Sequence, residues 1–225
     1  MTQIEELQSQ LIACTLCPRL ATYIREVAVE KRRQYREEPY WGRPVPSFGD
    51  PAARLLIVGL APAAHGGNRT GRAFTGDRSG DLLYKTLFQT GFANQPSGRS
   101  ADDGLSLQGA WISQIAHCAP PLNKPLPGEI TNCRHWLRNE LRLLWPYLRV
   151  VVVLGKIAFD GYLATLKETH EVNRRMLFAH NNLNITGEGH PLLLSSYHPS
   201  QQNTSTGRLT EQMFREIFER AAAVK

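Results

Sequence analysis

Arg54-Leu-Leu-Ile-Val-Gly-Leu-Ala-Pro62, together with the stretch from Ala63 to Gly80, decides how this chain folds. Leu55 to Val58 is a short apolar run with two β-branched residues, the composition of a strand buried on both faces. Gly59 and Pro62 end it, and the chain continues Ala-Ala-His-Gly-Gly-Asn-Arg-Thr-Gly-Arg-Ala-Phe-Thr-Gly-Asp-Arg-Ser-Gly80. Six glycines fall between Gly59 and Gly80, and the one acid there, Asp77, has Arg69, Arg72 and Arg78 for company. Glycine lets the backbone take positive φ and approach a ligand closely, at an entropic cost. Beyond Gly80, Leu82, Leu83, Leu87 and Phe88 recur at helical spacing. Strand, glycine-rich loop and helix in that order place the loop at the carboxyl end of a parallel strand, where open α/β sheets bind ligands. The loop carries neither GxxxxGK[ST] nor GxGxxG, so neither common phosphate-loop signature is met. A single carboxylate among arginines, beside Phe74, reads as a pocket with one reactive acid and a phosphate-attracting rim.

Further strands and helices alternate outward from this unit. Trp111 to His117, Arg149-Val-Val-Val-Val-Leu-Gly155 and Pro191 to His198 read as the second, third and fourth strands. Helices are predicted near the N-terminus from Ile4, Leu7, Leu11 and Ile12, then over about Arg19–Glu38, Asp81–Thr90, Glu129–Leu144, Lys156–Leu166 and Leu209–Ala222. The proline-rich Pro39–Pro51 stretch and the polar Asn94–Leu107 stretch read as loops, and His170–Asn184 has no assignable period. Alternating strands and helices imply an α/β protein with a parallel sheet. Three of the four strands run into chemically distinctive loops, Gly59–Gly80, Cys118–Gly128 and His198–Gly207. Loops that follow parallel strands share one sheet edge, so Asp77, Asn123, His198 and Asn203 are expected to converge.

A chain of 225 residues suits one large domain or two small ones. Its longest uninterrupted candidate for a membrane span, Val150–Leu154, is only strand-sized, and Glu5 and Glu6 interrupt any secretory signal at the N-terminus. A cytoplasmic location is the resulting expectation. The net charge of +6 is modest, but six lysines against twenty arginines fit bidentate recognition of a polyanionic partner, and genome composition can produce the same bias. The Lys31–Arg36 run reads as a solvated helix face.

Four cysteines remain: Cys14 and Cys17 as CxxC, and Cys118 and Cys133 as a separated pair. Disulfides are not expected in such a chain, whereas four thiols match the count of a tetrahedral metal or cluster site. The separated second pair fits a zinc ribbon poorly, and spacing alone leaves structural zinc and an iron–sulfur cluster open. Either would pin the N-terminal helices, about residues 1–38, to the loop containing Asn123.

With these residues assembled, the chain resembles the uracil-DNA glycosylase superfamily, specifically its family 5, the UDGb type. The motifs are Gly59-Leu-Ala-Pro-Ala-Ala-His-Gly-Gly-Asn-Arg-Thr-Gly-Arg-Ala-Phe-Thr-Gly-Asp-Arg-Ser-Gly, Cys118-Ala-Pro-Pro-Leu-Asn-Lys-Pro and Ser196-Tyr-His-Pro-Ser-Gln-Gln-Asn-Thr-Ser-Thr-Gly-Arg-Leu-Thr. The resemblance implies one domain over residues 1–225, a three-layer α/β/α sandwich around a four-stranded parallel sheet. It further implies a structural 4Fe–4S cluster on Cys14, Cys17, Cys118 and Cys133. The implied activity is monofunctional excision of uracil, and of hypoxanthine or other damaged bases, from DNA in base excision repair. Many relatives carry a polar catalytic residue where Leu60 and Ala61 stand here, and the family-5 pattern moves the carboxylate downstream to Asp77.

On that resemblance Asp77, His198 and Asn123 are the catalytic candidates, and Gly59, Ala61, Phe74 and Asn123 the base-binding ones. Arg69, Arg72, Ser200, Asn203 and Arg208 are expected on DNA, with His65 in the same loop and the protein a monomer that does not bind membranes. Two other classes remain: a non-catalytic nucleic-acid-binding module with a structural metal, and a hydrolase of free nucleotides.

Overall fold

The computed structural model describes residues 2–224. In chain order the elements are α1 (Gln3–Ile12), α2 (Pro18–Glu30), β1 (Phe48–Gly49), β2 (Leu55–Gly59), α3 (Gly67–Thr70) and α4 (Arg78–Gln89). There follow β3 (Ala110–Gln114), α5 (Pro127–Leu144), β4 (Val150–Leu154), α6 (Lys156–Leu166), β5 (Asn182–Asn184), β6 (Leu192–Ser196), α7 (Gln201–Ser205) and α8 (Glu211–Ala223).

The strands form one sheet in the order β1-β3-β2-β4-β6-β5. Its four inner strands are parallel, with Leu55 level with Ala110 and Val150, and Val150 level with Leu192. Two short antiparallel edges, β1 and β5, extend the expected four strands to six. At two and three residues they are too short to show a period, so neither stood out in Pro39–Pro51 or His170–Asn184.

Every residue of β2 and β4 is buried, because helices cover both faces. Leu55 and Ile57 point to one side, where they meet Leu83 and Leu87 of α4 and Phe214, Ile217 and Phe218 of α8. Leu56 and Val58 point to the other, against Leu137, Leu141 and Leu144 of α5 and Phe159 and Tyr162 of α6. The α/β/α layering thus follows from alternation within runs that read as uniformly apolar. A polar tie docks the first helix: buried Glu140 of α5 accepts from Gln8 Nε2 of α1 at 2.7 Å and from Ser113 Oγ of β3.

Three helix boundaries differ from the spacing argument. The helix expected to reach Glu38 stops at Glu30, where Lys31 turns left-handed at φ 51°, so Lys31–Arg36 is not a helix face. Helix α4 begins at Arg78 because Asp77 caps it. Phe88, expected on the buried stripe, is 46% exposed.

Gly80 shows why this turn tolerates no side chain. A Cβ there would stand 1.7 Å from the carbonyl oxygen of Phe74. Overpacking against fixed backbone destabilises, so Gly80→Ala should lose about 3 kcal/mol or more in urea unfolding. Gly128→Ala, in the first turn of α5 with nothing within 4 Å, should change stability by less than about 0.5 kcal/mol.

Candidate active site

The loops following β2, β3 and β6 open into one cleft of about 950 Å³ at the carboxyl edge of the parallel strands. Ala61, Phe74 and Asp77 of the first loop line it with Asn123 and His198, so three loops far apart in sequence meet as expected, while Asn203 is not among the lining residues. That volume falls at the upper end of the roughly 300–1,000 Å³ typical of ligand sites.

Asp77 is fixed by helix geometry. As N-cap of α4 it accepts the Gly80 amide on Oδ1 at 3.0 Å, satisfying one of the helix's free donors. Its second oxygen lies against Gly66 on the cleft wall, so close that a Cβ at residue 66 would stand 2.5 Å away. Burial raises the Asp77 carboxyl above the ordinary aspartate range, opposed by the Gly80 and Ser79 amides. Asp77 thus caps α4 with one oxygen and leaves the other on the cleft wall.

Phe74 precedes this cap in a left-handed conformation, φ 53°, that only its surroundings can hold. Tyr84 Oη donates to the neighbouring Ala73 carbonyl at 2.6 Å and anchors that backbone. The Phe74 ring lies over Gly59, where a Cβ would stand 2.7 Å from its Cζ, and it stacks on His198 with centroids 6.2 Å apart. Gly59 thus makes room for Phe74 and is not among the residues facing the cleft, a correction to its expected base contact. Ala61 does face the cleft.

His198 follows β6, and burial pushes its imidazole down to about 4, so it is neutral near pH 7 and can donate one N–H. Asn203 Nδ2 donates to the His198 carbonyl at 2.8 Å, so Asn203 braces the loop from inside. Ser200 caps α7, its Oγ accepting from the Asn203 amide at 3.4 Å, and also lines the cleft. Arg208 is exposed, its guanidinium 4.5 Å from the Tyr197 ring centroid. His65 lines the cleft and bonds Tyr40 Oη through Nδ1 at 3.0 Å.

Arg69 and Arg72 do not form the expected rim. Arg69 is 8% exposed, pairs with Glu38, donates to the His65 carbonyl at 2.9 Å and lies over the Tyr35 ring. Arg72 is 3% exposed and makes a fork to Asp103, at 2.9 and 2.8 Å. Both are internal struts of the loop. The exposed cations at the cleft are Arg32 and Arg78 instead.

Gln114 escaped the sequence reading. It ends β3, is 1% exposed, faces the cleft, and its Nε2 is buried without a hydrogen-bond partner. An unpaired buried donor is costly, so a ligand carbonyl would satisfy it. The available signal was an amide closing an otherwise apolar strand, Ala-Trp-Ile-Ser-Gln114. Asn123, by contrast, is exposed at the mouth on a turn, with φ 57°.

Away from this cleft, Cys14, Cys17, Cys118 and Cys133 line a second, mostly apolar cleft between the N-terminal helices and α5. Burial, followed by the neighbouring sulfurs, pushes the Cys118 thiol up to about 12, and Cys133 is raised mainly by burial. The His117 amide donates to Cys133 Sγ at 3.3 Å, and Asn132 Nδ2 approaches Cys17 Sγ at 3.8 Å. Four mutually repelling soft donors with N–H groups aimed at sulfur fit a thiolate-bound cationic centre. Among the described residues, no group of three His, Cys, Asp or Glu side chains is arranged to hold a single ion. Also among the described residues, no helix is long and apolar enough to cross a membrane.

The profile of the Uracil DNA glycosylase superfamily matches residues 46–222. The type-5 uracil-DNA glycosylase of Thermus thermophilus is 49% identical over 212 residues, covering 92% of this chain and 92% of the relative. That of Mycobacterium bovis is 47% identical over 96% of this chain and 80% of its own length. That of Pyrobaculum aerophilum is 43% identical, with 97% and 92% covered.

Two stability measurements check the charge states. An imidazole held below its unfolded value of about 6.5 binds fewer protons folded than unfolded, so its contribution is full above that pH. It is lost as pH falls towards about 4, at a cost of up to about 3 kcal/mol. His198→Asn should flatten the unfolding midpoint over that window. Asp77→Asn keeps a good cap and removes a desolvated charge, so its stability at pH 7 should equal or exceed wild type.

Proposed function

We infer that this chain, which belongs to the uracil-DNA glycosylase superfamily and to its type-5 branch, flips uracil out of DNA and hydrolyses its N-glycosidic bond. The observation that carries the reading is the placement of a half-buried carboxylate, a neutral imidazole and an unpaired amide donor on the walls of one open cleft. A base inside a duplex cannot be reached, so it is extruded at a cost of a few kcal/mol. Phe74 presents a ring for it to stack on. Gln114 Nε2 donates to a carbonyl on the base edge, and Ala61 supplies backbone.

Cleavage develops positive charge on the sugar and negative charge on the departing base. Asp77 faces the first, through the oxygen not used by the cap, and orients or deprotonates the attacking water. His198 donates its N–H to the second, an electrostatic role that a neutral imidazole performs without first losing a proton. Asn123 meets the nucleotide from the mouth. Arg32, Arg78 and Arg208, with Ser200, hold the phosphates that Arg69 and Arg72 cannot reach. Among the described residues no lysine lines the cleft, in keeping with a monofunctional enzyme that leaves an abasic site.

Hypoxanthine and other bases presenting a carbonyl to Gln114 fall within the same chemistry, because nothing in that contact demands a pyrimidine ring. The four cysteines would hold a 4Fe–4S cluster, whose contribution is structural: it would fasten α1 and α2 to the loop carrying Asn123. The protein acts as a monomer on this reading.

Purified protein should generate alkali-labile sites in a uracil oligonucleotide, and Asp77→Ala should lower the single-turnover rate by about 10²-fold or more. Binding without strand release would favour a non-catalytic module, and an unchanged Asp77→Ala rate would refute the role of that carboxylate. For the cluster, the protein should be brown with broad absorption at about 400 nm; stoichiometric zinc without iron would reject it.

A further inference from the structure

We propose that Arg19 is a positioning residue for Asn123, holding the turn at the cleft mouth where that amide can meet the extruded nucleotide; this rests on the glycosylase reading above. The turn has little else to hold it in place. Residues 122–124 are exposed, and Leu122 joins none of the buried apolar clusters. Leu122 and Asn123 are consecutive left-handed residues, φ 55° and 57°, a conformation that non-glycine residues keep only where their surroundings enforce it. The amides of Asn123 and Lys124 donate to the carbonyls of Pro120 and Pro121, each at 3.1 Å. Those bonds fix the shape of the turn but not its place on the protein. Among the described residues, one hydrogen bond reaches residues 119–125 from another element: Arg19 Nη2 of α2 donates to the Lys124 carbonyl at 3.4 Å.

At that length the bond is weak alone, and its precision comes from how the guanidinium is clamped. Arg19 Nε and Nη2 donate to Oε1 and Oε2 of buried Glu129, both at 2.7 Å. Glu129 is fixed in turn, because its Oε2 accepts the Leu126 amide at 2.7 Å at the start of α5. A planar guanidinium held by two parallel bonds has one orientation, so its other Nη2 proton points to one spot. That spot is the carbonyl of the residue after Asn123. Arg19 does nothing comparable for its own helix. It stands in the first turn of α2, where the helix dipole disfavours a cation, and its three hydrogen bonds all leave that helix. Cys118 and Cys133 flank the turn in sequence, so a centre held by the four cysteines would pin its ends, whereas Arg19 steadies its tip.

Hydrogen exchange and a double-mutant cycle test this tie. In Arg19→Ala the amides of Leu122, Asn123, Lys124 and Leu126 should exchange about tenfold faster or more, with β2 and β4 unchanged. Single-turnover excision of uracil should fall by about threefold or more, and adding Arg19→Ala to Asn123→Ala should cost less than about twofold further, because both act through one contact. Arg19→Lys keeps a charge beside Glu129 but lacks the fork. It should retain the wild-type urea midpoint and still show faster exchange in the turn and the same non-additivity, so the test holds even where Arg19→Ala folds poorly. Wild-type exchange in the turn of both variants, or losses that multiply in the double variant, would overturn the role of Arg19. Failure of the glycosylase reading is distinguishable: the wild-type protein would then release no uracil, and the exchange rates alone would decide whether Arg19 holds the turn.

Discussion

The bond from the Gly80 amide to Asp77 Oδ1 is the constraint on which the site depends. It starts α4, and in doing so it fixes a carboxylate at the carboxyl edge of β2 without needing a dedicated support. Three features follow from that turn. Gly80 must lack a side chain because the Phe74 carbonyl presses against it. Phe74 must accept a left-handed backbone to reach back over Gly59. Gly66 must stay bare because the second Asp77 oxygen occupies its flank. The glycine density of the loop is thus largely steric, and it serves the protein's own side chains before any ligand arrives.

Burial then sets the charges. The same cleft wall raises the Asp77 carboxyl and lowers the His198 imidazole, since desolvation disfavours the charged form of each. At neutral pH the outcome is one anion and one neutral donor, held on different loops and facing a common space. That pair matches a reaction in which a sugar becomes positive while its leaving group becomes negative. A protonated His198 would be a stronger donor, but the burial of the ring makes that proton costly to hold.

Much of this was legible in the residues because buried parallel strands and their loops write themselves plainly. Val150–Leu154 and Leu55–Gly59 could hardly be other than central strands, and from their order the meeting of Asp77, Asn123 and His198 followed. What stayed hidden was pairing at a distance. Arg69 and Arg72 look like a phosphate rim until Glu38 and Asp103, each 31 residues away along the chain, are found beside them. Gln114 is one amide among many until the strand ends it at the cleft with no partner. The edge strands β1 and β5 are too short to carry alternation, and Lys31 breaks its helix through a backbone turn that composition does not announce.

The electrostatic assignment is tested most directly by the pH dependence of single-turnover uracil excision. It predicts a rate that is level from about pH 6 to pH 8, because His198 stays neutral throughout that range. The acid limb should reflect a carboxyl titrating above the ordinary aspartate value, and it should disappear in the residual activity of Asp77→Asn. An inflection near pH 6.5 that vanishes in His198→Asn would mean the imidazole works as a cation, and would contradict the account.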